Sequence, residues 1–209
     1  RSPGRAPVLD ALGRSRVGRL AVAGDLAVFE VATAVGLEAI ADSERAIMAA
    51  DSRGVGQLIR AALDAGARRL VIGLGGSATN DGGAGMLQAL GALLLDAHHQ
   101  PIGAGGGCLQ DLAAIDLSGL DKRLAGVEIV VACDVDNPLC GEKGASAVFG
   151  PQKGATPEMV QALDSGLHHF AAIAARDLGL DIQSPAGAGA AGGMGGGVLL
   201  LPDARLQAG

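Results

Sequence analysis

The sequence predicts an α/β protein built on a mixed, largely parallel sheet with flanking helices. Three observations point there. Of the 209 residues 49% are hydrophobic but only 1% aromatic, with three Phe and no Trp or Tyr, and a core of small aliphatic side chains suits helices packed on a mostly parallel sheet. Short runs rich in branched residues alternate along the chain with segments whose apolar residues recur at helical spacing. One stretch, residues 70–91, passes from an apolar run through a glycine-rich loop into a helical pattern.

That stretch organises the rest. Leu70-Val71-Ile72-Gly73-Leu74 reads as a buried strand. The nine residues that follow, Gly75-Gly76-Ser77-Ala78-Thr79-Asn80-Asp81-Gly82-Gly83, carry almost no side-chain bulk. Ala84, Met86, Leu87, Ala89 and Leu90 then return at helical spacing, with Asn80 or Asp81 as the expected N-cap. Strand, glycine loop and helix together aim backbone N–H groups and a helix N-terminus at one point, which attracts phosphate or carboxylate. Ser77, Thr79, Asn80 and Asp81 supply polar groups that a bare turn would not need.

Taken in order, residues 1–16 carry Pro, Gly and Arg with little periodicity and read as loose. The expected organisation is a loose segment over 1–18, one α/β domain over 19–201 and a tail over 202–209. Residues 19–23 and 26–31 read as strands joined at Gly24-Asp25, a hairpin signal. Glu30, inside the second run, reads as an outward-facing residue at a sheet edge in preference to a catalytic carboxylate. Residues 57–66 form an amphipathic helix closed by Gly66, and Gly54 and Gly56 before it mark a tight turn or a close approach to a ligand. The helix leads into the central strand, completing a strand–helix–strand crossover.

Residues 92–96 read as a strand and 98–101 as a turn, where the side chains of His98 and His99 diverge too far to share a metal. Residues 103–120 read as loop with short helical turns. Residues 127–133 form a strand that runs into Asp134-Val135-Asp136-Asn137-Pro138. Residues two apart in an extended chain face the same way, so Asp134 and Asp136 project together from the strand's C-terminal tip, where open α/β sheets hold metals and substrates. An Asx-turn closed by Pro138 accounts for the same residues equally well. Thr156-Pro157-Glu158 starts a long helix. Val160, Leu163, Leu167, Phe170, Ala174 and Leu178 trace its inner face, with His168 and His169 at its surface or boundary. Residues 185–197, thick with glycine and followed by Val198-Leu199-Leu200-Leu201, read as an ordered ligand loop with free amides, the alternative being a linker.

Net charge is −6, and without a basic stripe or an aromatic stacking platform this excludes a nucleic-acid surface. No apolar run has the length of a membrane span. Cys108, Cys133 and Cys140 are odd in number and form no CxxC pair, which fits a reducing cytoplasm. The 35 glycines cluster in loops without a triplet period, unlike a fibrous chain. The sequence begins at Arg1 with no Met and no signal peptide, and reads as a piece of something longer.

Gly73-x-Gly75-x-x-Ala78 fits a relaxed dinucleotide fingerprint, with Asp96 near the distance of a ribose-binding acid. A dinucleotide helix should start near Gly75, however, and Asn80-Asp81-Gly82-Gly83 would break it, so the longer loop suggests a different anion site.

Four blocks carry a more specific resemblance. Val71-Ile72-Gly73-Leu74-Gly75-Gly76-Ser77-Ala78-Thr79-Asn80-Asp81-Gly82-Gly83-Ala84-Gly85-Met86 is the first, and Ala132-Cys133-Asp134-Val135-Asp136-Asn137-Pro138-Leu139 the second. Gly144-Ala145-Ser146-Ala147-Val148-Phe149-Gly150-Pro151-Gln152-Lys153-Gly154-Ala155 and Gly187-Ala188-Gly189-Ala190-Ala191-Gly192-Gly193 complete the set. In order and spacing they resemble the bacterial glycerate kinases of type 1, from about residue 27 to the C-terminus.

The resemblance implies ATP- and Mg2+-dependent phosphorylation of D-glycerate, with 2-phosphoglycerate the favoured product. It also implies two α/β domains, of which this chain resembles the inserted one, its tail leading to a Rossmann-like portion that is missing. Phosphoryl transfer asks mainly for positioning and charge neutralisation. Asp81, Asp134 and Lys153 are therefore expected as catalytic residues: Asp81 to accept the hydroxyl proton, Lys153 to offset developing charge. Asp134 and Asp136 are expected to hold the Mg2+. Gly75, Gly76, Ser77, Asn80, Gly82, Gly83, Asn137, Gly189, Gly192 and Gly193 are expected to bind substrate or phosphate. A cytoplasmic protein with small-molecule partners, a homodimer among its expected assemblies, follows. Two alternatives stand beside the kinase: a non-catalytic truncated domain and a dinucleotide-dependent oxidoreductase.

Overall fold

The computed structural model describes residues 3–208, and its sheet begins earlier than expected. β1 (Pro3–Leu9) pairs antiparallel with β2 (Ser15–Ala23), so the segment expected to be loose supplies an edge strand and the start of its neighbour. The cause is a period-two pattern, with Ala6 and Val8 buried and Arg5 and Pro7 exposed. Pro7 is tolerated because an edge strand needs no donor on its outer side. Residues 1, 2 and 209, the ends of the expected N-terminal segment and tail, lie outside the described residues. β3 (Leu26–Glu30) follows β2 through the expected Gly24-Asp25 turn.

After α1 (Ala32–Val35) comes α2 (Arg53–Asp64), which starts four residues before the expected Gln57. Gly54 and Gly56 are packing positions inside its first turns. A Cβ on Gly54 would strike the Leu9 carbonyl, and one on Gly56 the Met86 carbonyl. β4 (Arg69–Gly73) then runs parallel to β3 with Glu30 beside Gly73. Glu30 thus stands at the C-terminal end of an interior strand and not, as expected, at a sheet edge.

α3 (Ala84–Ala89) follows the glycine loop, with Gly83 and not Asn80 or Asp81 in the N-cap position. β5 (Leu93–Leu95) pairs with β6 (Ala114–Asp116) in a separate two-stranded ribbon. At three residues β6 is too short for an alternation to show, and its segment was expected to be loop. β7 (Glu128–Cys133) lies parallel to β4. α4 (Ala145–Phe149) and the long α5 (Pro157–Leu178) follow. Thr156 caps α5 by accepting from the Met159 N–H at 3.3 Å, Pro157 opens it and Gly179 closes it. Leu163, Leu167, Phe170 and Ala174 are buried as expected, whereas His168 is exposed and His169 half-buried.

Two C-terminal expectations are corrected. The glycine segment, expected as an ordered loop over 185–197, folds from Ala190 into α6 (Ala190–Val198), broken by positive φ at Ala191, Gly192 and Gly193. The tail supplies β8 (Ala204–Ala208), which pairs parallel with β7.

The strand order is β1-β2-β3-β4-β7-β8. The pairings β3 to β4, β4 to β7 and β7 to β8 are parallel and the other two antiparallel, the mixed sheet the sequence predicts. Ala27, Phe29, Leu70, Ile72, Ile129 and Val131 bury one face against the helices. Alternating with them, Val28 is exposed and Val71 and Val130 are half-buried. No helix among the described residues is long and apolar enough to cross a membrane.

Candidate active site

Because β3, β4 and β7 are parallel neighbours, their C-terminal ends deliver three loops to one rim, the usual place for a site in such sheets. A cleft of about 430 Å3 opens there. Gly75, Gly76 and Ser77 form one wall, Cys133, Asp134 and Val135 another. Phe149, Gln152 and Lys153 close it from the turn after α4, Ala190 and Ala191 from α6, and Glu30 stands at the β3 end.

The glycine loop presents donors. Its outer edge is tied to α1 and the residues after it, since Leu37 N–H donates to the Gly76 carbonyl and Ala78 N–H to the Val35 carbonyl, each at 2.8 Å. The amides of Gly75, Gly76 and Ser77 donate to no group among the described residues. Gly75 and Gly76 are exposed and Ser77 is 4% exposed. Three consecutive unpaired amides lining a cleft are donors of the kind that hold anions.

Lys153 faces them. Its side chain is buried, and Nζ donates to the Thr79 carbonyl at 2.7 Å and approaches Ser77 Oγ at 3.1 Å. Burial pushes its pKa down to about 8, against the opposing pull of the Asp81 charge. Arg45 holds this turn in place by donating from Nη1 to the Gln152 carbonyl at 3.0 Å.

Asp81 is not brought into the cleft. It is wholly buried beneath it and bonded through both oxygens. Its Oδ2 accepts from Ser52 N–H at 2.9 Å, Ser52 Oγ at 2.7 Å and Gly85 N–H at 3.1 Å, and its Oδ1 from Gly83 N–H at 3.0 Å. Three donors on Oδ2 and one on Oδ1 hold the carboxylate in place with no exposed surface, so it does not reach a hydroxyl in the cleft for the expected proton-accepting role. Asp81 instead ties the N-terminus of α2 to that of α3. Next to it Asp51 is also buried, and its pKa is raised by burial first and by the Asp81 charge second.

Most of the other expected binding positions form the layer that supports the cleft without lining it. Asn80 is buried and donates to Ser146 Oγ at 2.8 Å. Gly82 N–H donates to the Gly192 carbonyl at 3.0 Å, Gly189 N–H to the Asn137 carbonyl at 2.9 Å, and Gly193 N–H to the Gly189 carbonyl at 3.2 Å. Gly192, at φ 68°, leaves no room for a Cβ against the Thr79 carbonyl. Gly83 is buried at φ 79° against Met86 and Met194. Asn137 donates to the Lys143 carbonyl at 2.8 Å. Asp136 is exposed in a recess that shares Cys133, Asp134 and Val135 with the cleft. Among the described residues no three His, Cys, Asp or Glu side chains gather as a metal site.

Sequence reasoning missed Phe149 and Gln152 in the walls, and Ser52 and Arg45 behind them; it favoured an edge position for Glu30, and Ala190 and Ala191 fall within the segment it read as a ligand loop. Ser52 before α2 carried a readable N-cap signal, although its hydroxyl goes to Asp81. Nothing in the sequence signals that Arg45 reaches a carbonyl 107 positions away.

The sequence model of the glycerate kinase family matches residues 3–209. The chain belongs to the glycerate kinase family. It is 58% identical over 186 residues to a glycerate kinase of Haemophilus influenzae, covering 89% of this chain and 49% of that relative. Over the same shares it is 56% identical to a glycerate kinase of Bacillus subtilis and 52% identical to the glycerate 2-kinase of Escherichia coli. A crystal structure assigned as a glycerate kinase 2 from Salmonella typhimurium LT2 superposes with a TM-score of 0.97 at 51% identity, covering 99% of this chain and 57% of that one. The chain spans about half the length of the curated glycerate kinases it matches.

Proposed function

We propose that this chain is the phosphoryl-transfer domain of an ATP-dependent glycerate kinase acting on D-glycerate, with 2-phosphoglycerate the favoured product. The observation that carries the proposal is the convergence, in one cleft, of three unpaired amides at 75–77, a buried lysine and a strand-tip carboxylate. The substrate hydroxyacid and the transferring phosphoryl group are both anions. The amides of Gly75, Gly76 and Ser77 hold an anionic oxygen, and Lys153 offsets charge as it spreads over the equatorial oxygens. The family and the named activity of the relatives in H. influenzae, B. subtilis and E. coli support the substrate.

Mg2+ characteristically takes one or two carboxylates together with phosphate oxygens, not a dedicated protein cage. An exposed Asp134 at the cleft, with Asp136 next to it, fits that donor set. Asp134 would hold the ion, which supplies charge neutralisation on the nucleotide phosphates. The expected test is coupled ADP release from the chain with D-glycerate, ATP and Mg2+. No release above a glycerate-free control overturns the proposal for this chain. Nucleotide or glycerate binding without release supports the non-catalytic alternative, and a nicotinamide fluorescence change on mixing supports the oxidoreductase.

A further inference from the structure

A phosphoryl acceptor has to lose its hydroxyl proton, and Asp81 is closed off from that task. Two other groups in the cleft wall are already joined. Ser77 Oγ and Lys153 Nζ lie 3.1 Å apart, with the Thr79 carbonyl 2.7 Å from the same nitrogen. Both side chains are buried except toward the cleft, which they line. A carbonyl can only accept, so Thr79 holds one N–H of Lys153 in either protonation state and leaves the amine's two other positions, the lone pair among them when neutral, to meet Ser77 and the cleft.

We infer that Ser77 and Lys153 form a proton relay, Ser77 Oγ taking the proton of the attacking hydroxyl while passing its own to the neutral Lys153 amine. The inference rests on the kinase reading above and deepens it. The substrate O–H bond breaks and its oxygen bonds to the γ-phosphorus as the bond from that phosphorus to the ADP oxygen breaks. The proton ends on Lys153 as ammonium, and Ser77 remains a hydroxyl. Lys153 therefore becomes a cation as negative charge spreads over the transferring group, so it interacts more strongly with the transition state than with the ground state. Burial, which lowers its pKa to about 8, brings the acceptor close to the working pH of a general base. The charges facing the pair are Asp81 from beneath, with Asp51 behind it, and Asp134 and Glu30 on the cleft walls. Arg45 bonds the neighbouring Gln152 carbonyl.

The chain has three lysines, Lys122, Lys143 and Lys153, so each amine can be followed by NMR with isotope-labelled lysine. The titration is run on the wild type and Ser77→Ala, and kcat is measured against pH for the wild type, Ser77→Ala, Lys153→Arg and Lys153→Met. The expected results are a Lys153 amine that titrates near 8 and shifts in Ser77→Ala, and a wild-type kcat that climbs to a plateau above that pH. Arginine keeps the charge but cannot surrender its proton, so Lys153→Arg and Ser77→Ala each lose about 100-fold or more in kcat. Relay partners act as one unit, so Ser77→Ala combined with Lys153→Met is no slower than the worse single variant. That comparison also decides the matter if Lys153→Arg fails to fold.

A Lys153→Arg enzyme within about threefold of wild type, far inside the general-base range, makes the lysine a fixed counter-charge and overturns the relay. Full additivity in the double variant, or a Lys153 that titrates near the ordinary 10.5, overturns it as well. If the wild type shows no turnover, the kinase reading fails for this chain. The titration then decides the pair by itself: a low Lys153 pKa that responds to Ser77→Ala keeps it, and an ordinary or unresponsive one removes it.

Discussion

Lys153 pays for its position in stability. Its amine has a pKa of about 8 in the folded chain against an ordinary 10.5, so folding disfavours the proton. The stability linked to this group is present above 10.5 and is lost as pH falls through 8, so at pH 7 the whole penalty applies. Replacing the lysine with an apolar side chain of similar length removes that penalty, on the order of 3 kcal/mol, less about 1 kcal/mol for the bond to Thr79. Lys153→Met is therefore expected to raise Tm at pH 7 and to lose that advantage progressively between pH 8 and 10.5. Thermal unfolding of both proteins across that range checks it. A less stable variant at pH 7 would show that the lysine is a structural asset. Asp51 and Asp81 make the opposite pair of expectations from one buried patch. The raised pKa of Asp51 means its contribution is present below 3.8 and lost as pH rises through the folded value. Asp51→Asn is thus expected to be neutral or stabilising at pH 7. Asp81→Asn instead turns an amide toward four donors and costs about 3 kcal/mol or more. Denaturant midpoints of the two variants separate these outcomes.

At the level of elements, what could be read from the sequence depended on whether the chain's own neighbours determined the structure. The hairpin at Gly24-Asp25, β4, β7 and the α5 cap were legible because turn chemistry, branched runs and helical period act within a few residues. Thr156→Ala tests the smallest of these. The 3.3 Å bond to Met159 N–H is long and exposed, so its loss is expected to cost about 0.5–1 kcal/mol, measurable as a shift in denaturant midpoint with unchanged slope. α6 was illegible for the reverse reason. Its glycines are dictated by a distant backbone, the 79–83 loop, against which Gly192 and Gly197 leave no room for a side chain. From sequence alone such glycines look like freedom, whereas in the fold they are contact surface. β1 was obscured by Pro7 and Gly4, and the burial of Asp81 by a partner, Ser52, 29 positions away. The position of Asp134 at the strand tip was legible because strand-tip geometry is a property of the fold class and needs no partner to be known.

For the molecule as a whole, the cleft exists only when segments near residues 76, 134, 153 and 190 are held together, so an anion bound there should stabilise the entire fold. A ligand at 100 times its Kd adds about 2.7 kcal/mol to a protein that binds it only when folded. In a domain of this size that corresponds to a rise of roughly 5–10 °C in Tm. D-glycerate, and separately ATP with Mg2+, are expected to raise Tm with a saturating concentration dependence, and chloride at equal ionic strength is not. Lys153→Met starts from a higher Tm but should gain less from these ligands, since it retains the three amides and lacks the cation. Fold stability and ligand response then move in opposite directions across one substitution, which a general salt effect cannot produce. Equal gains in both proteins would mean that Lys153 faces no anion and that the cleft's charge lies elsewhere.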